Sequence, residues 1–303
     1  TVPMPKPKNS PASLDPIEPG PPAANELEIS LFGPGIGESL VIHLGNGHWM
    51  VVDSCSTDKK SREPVASHYL RSIGLDPAEC IQEIVISHWH DDHTGGAAAL
   101  VEQCPKAFVY HPAAMKPDEF TTLTELLAAR GRVVDRNNNG IREMAEVLRT
   151  LATRAEKDKH YVAHHFRAVI VNRELLSLTA GGQKVTVRAL SPSDVAFNLS
   201  MTDLRKLIPA DGTPPRRLPR PKRNPTAVAL WIEFGDRAVL LGSDLEEYGI
   251  PYTGWSVIVS EHCARGKATV FKIPHHGSVT GHHEAVWSDM LTEQPISFTT
   301  TYS

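Results

Sequence analysis

The sequence predicts an α/β protein in which helices cover the outer faces of two β-sheets. Short apolar runs rich in β-branched residues recur from about residue 26 onwards, and segments with helical spacing separate them. An αββα sandwich is one architecture that buries the apolar faces of both kinds of element. With 303 residues and 41% hydrophobic content, the chain is long and apolar enough to build such a core.

The strands and helices of this domain are predicted between residues 26 and 303. Residues 1–25 contain eight prolines and show no strand or helix period, so we expect an extended leader that buries no core. Helices are expected at Ser61–Ile73 and Gly95–Glu102. Strands are expected at Glu26–Phe32, Ser39–Leu44, Trp49–Asp53, Glu83–Ser87, Ala107–Tyr110, Val185–Leu190, Ala227–Phe234, Ala238–Leu241, Thr269–Ile273 and Ile296–Tyr302.

Residues from about 112 to 175 differ from the rest because helical patterns dominate them. One predicted helix covers Glu119–Arg130. A second covers Ile141–Lys157, where apolar residues such as Met144 and Val147 recur at helical spacing. We interpret this region as a helical insertion in the sandwich.

Charge and cysteine content restrict the class of protein without identifying a substrate. The net charge of −4 and the pI near 6.4 argue against a globally basic protein that coats nucleic acid, yet they allow a local basic track. The four cysteines are scattered singly, which indicates free thiols rather than a zinc ribbon or a redox pair. No apolar run reaches about 18 residues and no signal-peptide pattern is visible, so we expect no membrane span and a cytoplasmic location by default.

The segment that follows the predicted strand Glu83–Ser87 places four potential metal ligands within six residues. His88 and His90 alternate, so they lie on the same side of an extended strand end. Asp92 and His93 fall in the following turn, where they can face a second ion. Imidazole nitrogens and carboxylate oxygens suit zinc, manganese or iron. The pattern predicts two adjacent metal sites; a polar loop whose histidines cap the next helix is the alternative.

Residues of the same chemical type follow three other predicted strands. Asp244 comes after an apolar strand and a small-residue turn, and its two carboxylate oxygens could divide between two cations. His275 and His276 follow the strand Thr269–Ile273, and Asp53 ends an earlier one. We expect Asp53 to orient a ligand histidine or a metal-held water. Each could instead be an ordinary turn residue, but their recurrence at strand ends favours a common site.

The pattern H-x-H-x-D-H, formed here by His88, His90, Asp92 and His93, resembles that of the metallo-β-lactamase fold superfamily. The resemblance implies that fold, with the helical insertion added. It also implies a ligand set: His88 and His90 for one metal, Asp92 and His93 for the second, and Asp244 as the bridge. His275 is the expected remaining ligand of the second metal, with His276 next to the substrate, although their roles could be exchanged.

Three later segments resemble a narrower group within that superfamily. Asn224–Leu230, Val239–Glu246 and Lys272–Ser278 are similar to the hydrolase domain of bacterial competence DNA-uptake channel proteins, and more distantly to phosphorylcholine esterases. This resemblance implies a hydrolase of phosphodiester bonds, with two Zn²⁺ per chain favoured and Mn²⁺ as the alternative.

The sequence departs from the superfamily pattern at one ligand position. The histidine that many members place between the first motif and the bridging aspartate has no clear counterpart, because the matching strand ends in Ala189-Leu190-Ser191-Pro192. The first metal would then be weakly held or completed by water. His160, His164 or His165 could replace the missing ligand, but their grouping is equally typical of a solvated helix end.

A basic segment precedes the strand that leads to Asp244, and its cations are interleaved with prolines. If it folds over the metal edge, it would hold a polyanionic backbone by phosphate contacts; a solvated loop is the alternative. These candidate substrate-binding residues are Arg216, Arg217, Arg220, Lys222 and Arg223.

The predicted activity is metal-dependent cleavage of phosphodiester bonds, with nucleic acid as the expected substrate. A hydroxide held between the two cations would attack phosphorus in line. Asp92 would fix that hydroxide, and His276 would protonate the leaving oxygen. Two alternatives stay open: a metallohydrolase of carboxylic esters, lactones, thioesters or lactams, and a non-catalytic sensor or assembly subunit that keeps the fold.

Overall fold

A computed structural model describes residues 20–33, 37–57, 62–112, 139–161, 165–207, 224–261 and 266–301. Most of the predicted leader, the predicted helix Glu119–Arg130 and His164 lie outside these residues. The five basic residues between 216 and 223 also lie outside them, so their predicted role stays a prediction.

The first half of the chain builds one mixed sheet of six strands. The first three are antiparallel neighbours, and from the third strand onwards each pairs in parallel with the next. Their spatial order equals their chain order: β1 Glu28–Phe32, β2 Ser39–His43, β3 Trp49–Val52, β4 Ile81–Val85, β5 Phe108–Pro112 and β6 Phe166–Val169.

The second half builds another six-stranded sheet with the same sequential order. Its first four strands are antiparallel neighbours, and the last two continue in parallel. The strands are β7 Glu174–Ala180, β8 Gln183–Ala189, β9 Leu230–Phe234, β10 Arg237–Leu241, β11 Ala268–Lys272 and β12 Leu291–Phe298.

The helices connect the strands and lie against the outer faces of the sheets. In the described part of the chain, none of them is both long enough and apolar enough to span a bilayer. They are α1 Val65–Ser72, α2 Pro77–Cys80, α3 Asp91–Thr94, α4 Ala97–Gln103, α5 Asn139–Lys157, α6 Asp194–Leu207 and α7 Gly254–Glu261.

Three apolar clusters separate four layers of structure. Leu40 and Leu230 belong to the cluster between the two sheets. Val41, one residue along from Leu40, packs on the opposite side with α4 and α5, since side chains alternate along a strand. Trp255 of α7 covers the outer face of the second sheet. The predicted αββα sandwich is therefore confirmed, and each predicted strand overlaps an observed one.

The predicted helical insertion needs a correction. Its second helix is present as α5, but Met144 and Val147 are fully buried in the cluster against the first sheet, so α5 is part of the outer helical layer. The helical region also ends before Leu175, because β6 and the start of β7 fall inside it. β6 has only four residues, FRAV, which is too short for a clear period.

Candidate metal centre

The predicted ligand residues come together because parallel strands end at the same edge of a sheet. Asp53 follows β3 and the His88–His93 loop follows β4, its parallel neighbour. Asp244 follows β10 and His276 follows β11, again a parallel pair. A backbone hydrogen bond from Val228 N to Ser87 O, 3.0 Å long, joins the two sheets at this edge. Both pairs of strand ends therefore lie at one edge of the sandwich, and we call this edge the mouth of the site.

Three overlapping groups of donor side chains lie at this edge, and in one of them, Asp53 with His88 and His93, the Asp53 carboxylate is hydrogen-bonded to His93. Of the other two, the one we call the four-donor group contains Asp92, His93, Asp244 and His276. His93 Nε2 lies 3.2 Å from Asp244 Oδ2. His276 Nε2 lies 3.4 Å from Asp92 Oδ2 and 3.6 Å from Asp244 Oδ2. The facing atoms are imidazole nitrogens and carboxylate oxygens, the ligand types that zinc and manganese accept.

Three side chains form the second group, the three-donor group: His88, His90 and Asp244. His88 Nε2 lies 3.2 Å from His90 Nδ1 and 4.0 Å from Asp244 Oδ2. The two groups share Asp244, the residue for which a bridging role was expected.

The sharing of Asp244 differs from the expectation that its two oxygens divide between two cations. Oδ2 is the oxygen near the ring nitrogens of His88, His93 and His276. Oδ1 instead lies 3.8 Å from Lys272 Nζ. Burial opposes the charge of this carboxylate, but the neighbouring His93 and Lys272 outweigh burial and hold its pKa well below the usual range.

The side chain of Asp53 lies behind both groups and takes part in three hydrogen bonds. Its Oδ1 accepts from Ser87 N at 2.7 Å, and its Oδ2 accepts from Ser87 Oγ at 2.6 Å and lies 2.8 Å from His93 Nδ1. Ser87 Oγ in turn lies 2.9 Å from His88 Nδ1. These contacts leave the Nε2 atoms of His88 and His93 turned towards the donor groups. Burial is the main cause that raises the pKa of Asp53 above its usual value.

The residues of both groups fit a pair of metal ions on two structural tests. His93 Nε2 is buried and has no hydrogen bond of normal geometry within the described residues. Buried polar atoms are nearly always satisfied, so a cation is the simplest partner. In addition, burial would lower the pKa of His93, but the carboxylates of Asp244 and Asp53 outweigh it and raise that pKa well above 6.5. The site therefore attracts positive charge.

The structure does not bring His275 to the donor groups. Its Nδ1 lies 3.1 Å from Glu246 Oε1 and 3.0 Å from Thr280 Oγ1, and its Nε2 lies 3.3 Å from the Asn224 amide nitrogen. The structure therefore groups His276, not His275, with the other donors, which favours the exchanged assignment. The reason is local: both residues have positive φ, 48° and 53°, so the turn points the two rings in different directions.

The end of β8, where the expected histidine has no counterpart, carries a serine whose hydroxyl is already hydrogen-bonded. Ser191 Oγ donates to Ala227 O at 2.6 Å and accepts from Ala229 N at 2.8 Å, so the hydroxyl is used to join β8 to the strand beside it. Among the described residues, His160 and His165 belong to no donor group. His165 stacks on Tyr161, with ring centroids 4.4 Å apart.

Four residues near the centre were missed by sequence reasoning. Lys272 could have been recognised from the sequence, because it is a charged residue inside an apolar strand. Glu246 could have been recognised because it lies in the Val239–Glu246 segment, which resembles the competence-protein hydrolase domain. Glu38 and Thr300 carried no signal of either kind. Burial opposes ionisation of Glu246, but hydrogen bonds from His275, Tyr248 and Thr280 outweigh it and lower its pKa to about 2.

A comparison with protein families identifies the chain's relatives. Residues 32–286 match the family model described as the metallo-beta-lactamase superfamily. The chain belongs to this superfamily. A comparison with curated proteins finds no match.

Several solved structures are similar to the chain at low identity. The metallo-beta-lactamase fold protein YhfI from Bacillus subtilis is 13% identical, with a TM-score of 0.39 over 81% of this chain and 69% of that one. Metallo-beta-lactamase SMB-1 bound to 2-mercaptoethanesulfonate is 15% identical, with a TM-score of 0.40 over 84% and 78%. Zn²⁺-bound PqqB from Methylobacterium extorquens is 11% identical, with a TM-score of 0.36 over 77% and 58%. The family assignment depends on the family model.

Proposed function

We propose that this metallo-β-lactamase superfamily member is a two-metal hydrolase of phosphodiester bonds, with nucleic acid as its substrate. The observation that carries the proposal is the pair of donor groups that share Asp244 at one mouth. Two Zn²⁺ per chain are favoured by the imidazole and carboxylate donors, and Mn²⁺ is the alternative. When bound, such a pair supplies Lewis acidity and lowers the pKa of water in the centre.

Asp92 is the residue we assign to orienting the attacking water. Its side chain is 24% exposed, whereas those of His93 and Asp244 are 0% and 2% exposed. Burial opposes its ionisation, but the hydrogen bond from His276 and the charge of His93 outweigh burial and lower its pKa to about 2. Asp92 therefore stays an anion at neutral pH and can accept a hydrogen bond from water at the mouth.

His275 is the residue we assign to protonating the leaving oxygen, a role that the sequence had suggested for His276. The His275 side chain is 27% exposed and is held by Glu246, which is 7% exposed. The hydrogen bond to Glu246 is the main cause that raises the pKa of His275, although burial opposes it. Because Nδ1 faces Glu246, Nε2 is the atom left for proton transfer; it lies 3.3 Å from the Asn224 amide nitrogen, so it can carry and give up a proton only when the Asn224 amide presents its oxygen instead.

Phosphate rather than a carbonyl is favoured by two features of the sequence. Three segments around Asp244 and His276 resemble the hydrolase domain of competence DNA-uptake channel proteins. The basic residues between 216 and 223 precede the same segments and would suit a polyanionic substrate.

The proposal is tested by assaying the protein loaded with Zn²⁺ or Mn²⁺ against a substrate panel. The panel contains single- and double-stranded DNA, RNA, bis-p-nitrophenyl phosphate, and a set of esters, lactones, thioesters and β-lactams. We expect cleavage of nucleic acid and of the phosphodiester, and loss of both in His88→Ala. Turnover confined to carbonyl substrates would replace the proposal with the ester-type hydrolase. A loaded protein with no turnover, or a chain that binds no metal, would support the non-catalytic alternative.

The role of His275 is tested through the leaving group. p-Nitrophenolate leaves without protonation, whereas the alkoxide of a DNA sugar needs a proton. We expect His275→Ala to keep its metal and to lose about 10²–10⁴-fold in DNA cleavage, the usual size of a general-acid contribution, with a much smaller loss on bis-p-nitrophenyl phosphate. Equal losses on both substrates would contradict the assignment.

A further inference from the structure

A pair of opposite charges lies behind the four-donor group without belonging to it. The side chains of Lys272 and Glu38 are both 0% exposed, and Lys272 Nζ lies 2.5 Å from Glu38 Oε1. Lys272 also donates to Ser243 O at 2.9 Å. Removing two charges from water costs several kcal/mol per ion before their attraction offsets it. The cost of burying this ion pair therefore indicates that it has a specific role at this position.

The other oxygen of Glu38 leads to a residue of the four-donor group. Thr300 Oγ1 donates to Glu38 Oε2 at 2.5 Å. His276 Nδ1 lies 2.8 Å from the same Thr300 oxygen. A hydroxyl has one proton, and here that proton points to the carboxylate. Thr300 can therefore only accept from His276, so Nδ1 carries a hydrogen and Nε2 is the ring nitrogen that faces Asp92 and Asp244.

The backbone holds Glu38 against the loop that carries the other ligands. Glu38 N donates to Asp92 O at 2.7 Å. Gly37 has φ +134°, and a Cβ there would lie 2.5 Å from Asp92 O and 2.7 Å from Cys55 Cβ. Only glycine fits this close approach. The loop before β2 is thus attached directly to the first ligand motif.

We propose that Lys272, Glu38 and Thr300 form a positioning relay that presents His276 to the metal centre through Nε2. Lys272 balances the charge of Glu38, Glu38 orients the Thr300 hydroxyl, and the hydroxyl selects the ring nitrogen that carries the hydrogen. The proposal rests on the metal centre proposed above, but not on the nature of the substrate. Supporting contacts of this kind typically contribute 10–100-fold to metal affinity.

The test compares two variants of one residue in the full chain. Thr300→Val removes the hydroxyl and keeps the side-chain shape, and Thr300→Ser keeps the hydroxyl. Zn²⁺ affinity is measured by competition with a chromophoric chelator, and the ring nitrogens of His276 are followed by ¹⁵N NMR of the metal-free protein. We expect Thr300→Val to weaken the tighter Zn²⁺ site 10–100-fold and to lose the preference for hydrogen on Nδ1. Thr300→Ser should stay within about threefold of the wild type.

The relay is overturned if Thr300→Val binds Zn²⁺ as tightly as the wild type, or if Thr300→Ser is weakened equally. A wild-type chain that binds no Zn²⁺ would instead contradict the metal centre itself, so the two failures are distinguishable.

The ion pair is tested with Lys272→Met and with the double variant Lys272→Met/Glu38→Gln. We expect the single change to alter the His276 NMR signals, and the double variant to resemble Thr300→Val. Unchanged His276 signals in both would contradict the relay.

Discussion

The two donor groups share Asp244 but differ in ligand number and in charge. The four-donor group has two carboxylates and two imidazoles, whereas the three-donor group has one carboxylate and two imidazoles. They also differ in origin. The three-donor group comes from one loop plus Asp244, while the four-donor group also takes His276 from the second sheet.

This difference predicts that two metal ions at this edge of the fold would be bound with unequal strength. More donors and more negative charge at the four-donor group favour tighter binding there. The Nδ1 atoms of its two histidines also have hydrogen-bond partners: Asp53 for His93 and Thr300 for His276. With three donors from the described residues, the three-donor group would leave a coordination position open to water, which is typical of a catalytic metal site.

The largest effect is expected at the residue common to both groups. Asp244→Asn removes the charge that both ions would share, so we expect metal content to fall from about two ions per chain towards zero and turnover to be lost with it. Elemental analysis of the purified, dialysed protein measures this. Asp236→Asn, an exposed aspartate in the β9–β10 turn, is the matched control and should keep both ions. If Asp244→Asn keeps two ions, Asp244 does not connect the groups.

A smaller and selective loss is expected when each group loses one histidine of its own. His276→Ala should remove the tighter ion, and His90→Ala should remove the weaker one, because each histidine belongs to one group only. Zn²⁺ titration of both variants measures which affinity disappears. Loss of the same affinity in both variants would contradict the separation into two groups.

Substitution of the residues that hydrogen-bond to the ligand histidines should reduce Zn²⁺ affinity by an intermediate amount. Ser87→Ala removes the hydroxyl next to His88 Nδ1 and should weaken the three-donor group about 10–100-fold, with little change at the other. Asp53→Ala removes the partner of His93 and of Ser87, so both affinities should fall. Zn²⁺ competition assays distinguish these patterns, and a selective effect of Asp53→Ala on the three-donor group would argue against the support assigned to His93.

The smallest expected effect is on the free energy of unfolding at low pH, and it is measured without metal so that loss of the fold is not confused with loss of the ions. Burial lowers the pKa of His111, on β5, to about 4 from an ordinary value of 6.5. A histidine with a depressed pKa is stabilising when neutral, so its contribution is complete above about pH 6.5 and is lost as the pH falls towards 4. Between pH 7 and 5 this loss amounts to about 2 kcal/mol.

Urea unfolding of the metal-free protein at pH 7 and pH 5 measures that contribution. His111→Gln should show a decrease in the free energy of unfolding that is smaller by about 2 kcal/mol than the decrease in the wild type. Identical pH dependence in the two proteins would show that His111 titrates normally in the folded state.

Much of the centre follows from local sequence patterns, and the rest does not. The strands and the His88–His93 motif are predictable because side-chain alternation and strand ends are local properties. The choice between His275 and His276 is not predictable, since it depends on positive φ at two successive residues.

The supporting contacts are the least predictable part of the site. Glu38 and Thr300 are 262 residues apart, and they meet only because the loop before β2 and the segment after β12 lie at the same edge of the sandwich. The strands β6 and β7 and the helices α2, α3, α6 and α7 were not predicted either. The buried face of α5 shows that tertiary packing decides whether a helix is part of the core.

The most direct measurement is an equilibrium Zn²⁺ titration of the wild-type chain by calorimetry, with elemental analysis of the product. Two ions per chain are expected, bound with affinities that differ by at least about tenfold because the donor groups have different ligand sets. Binding of no ion, or of two ions with equal affinity, would contradict a centre in which four donors face one metal and three face the other.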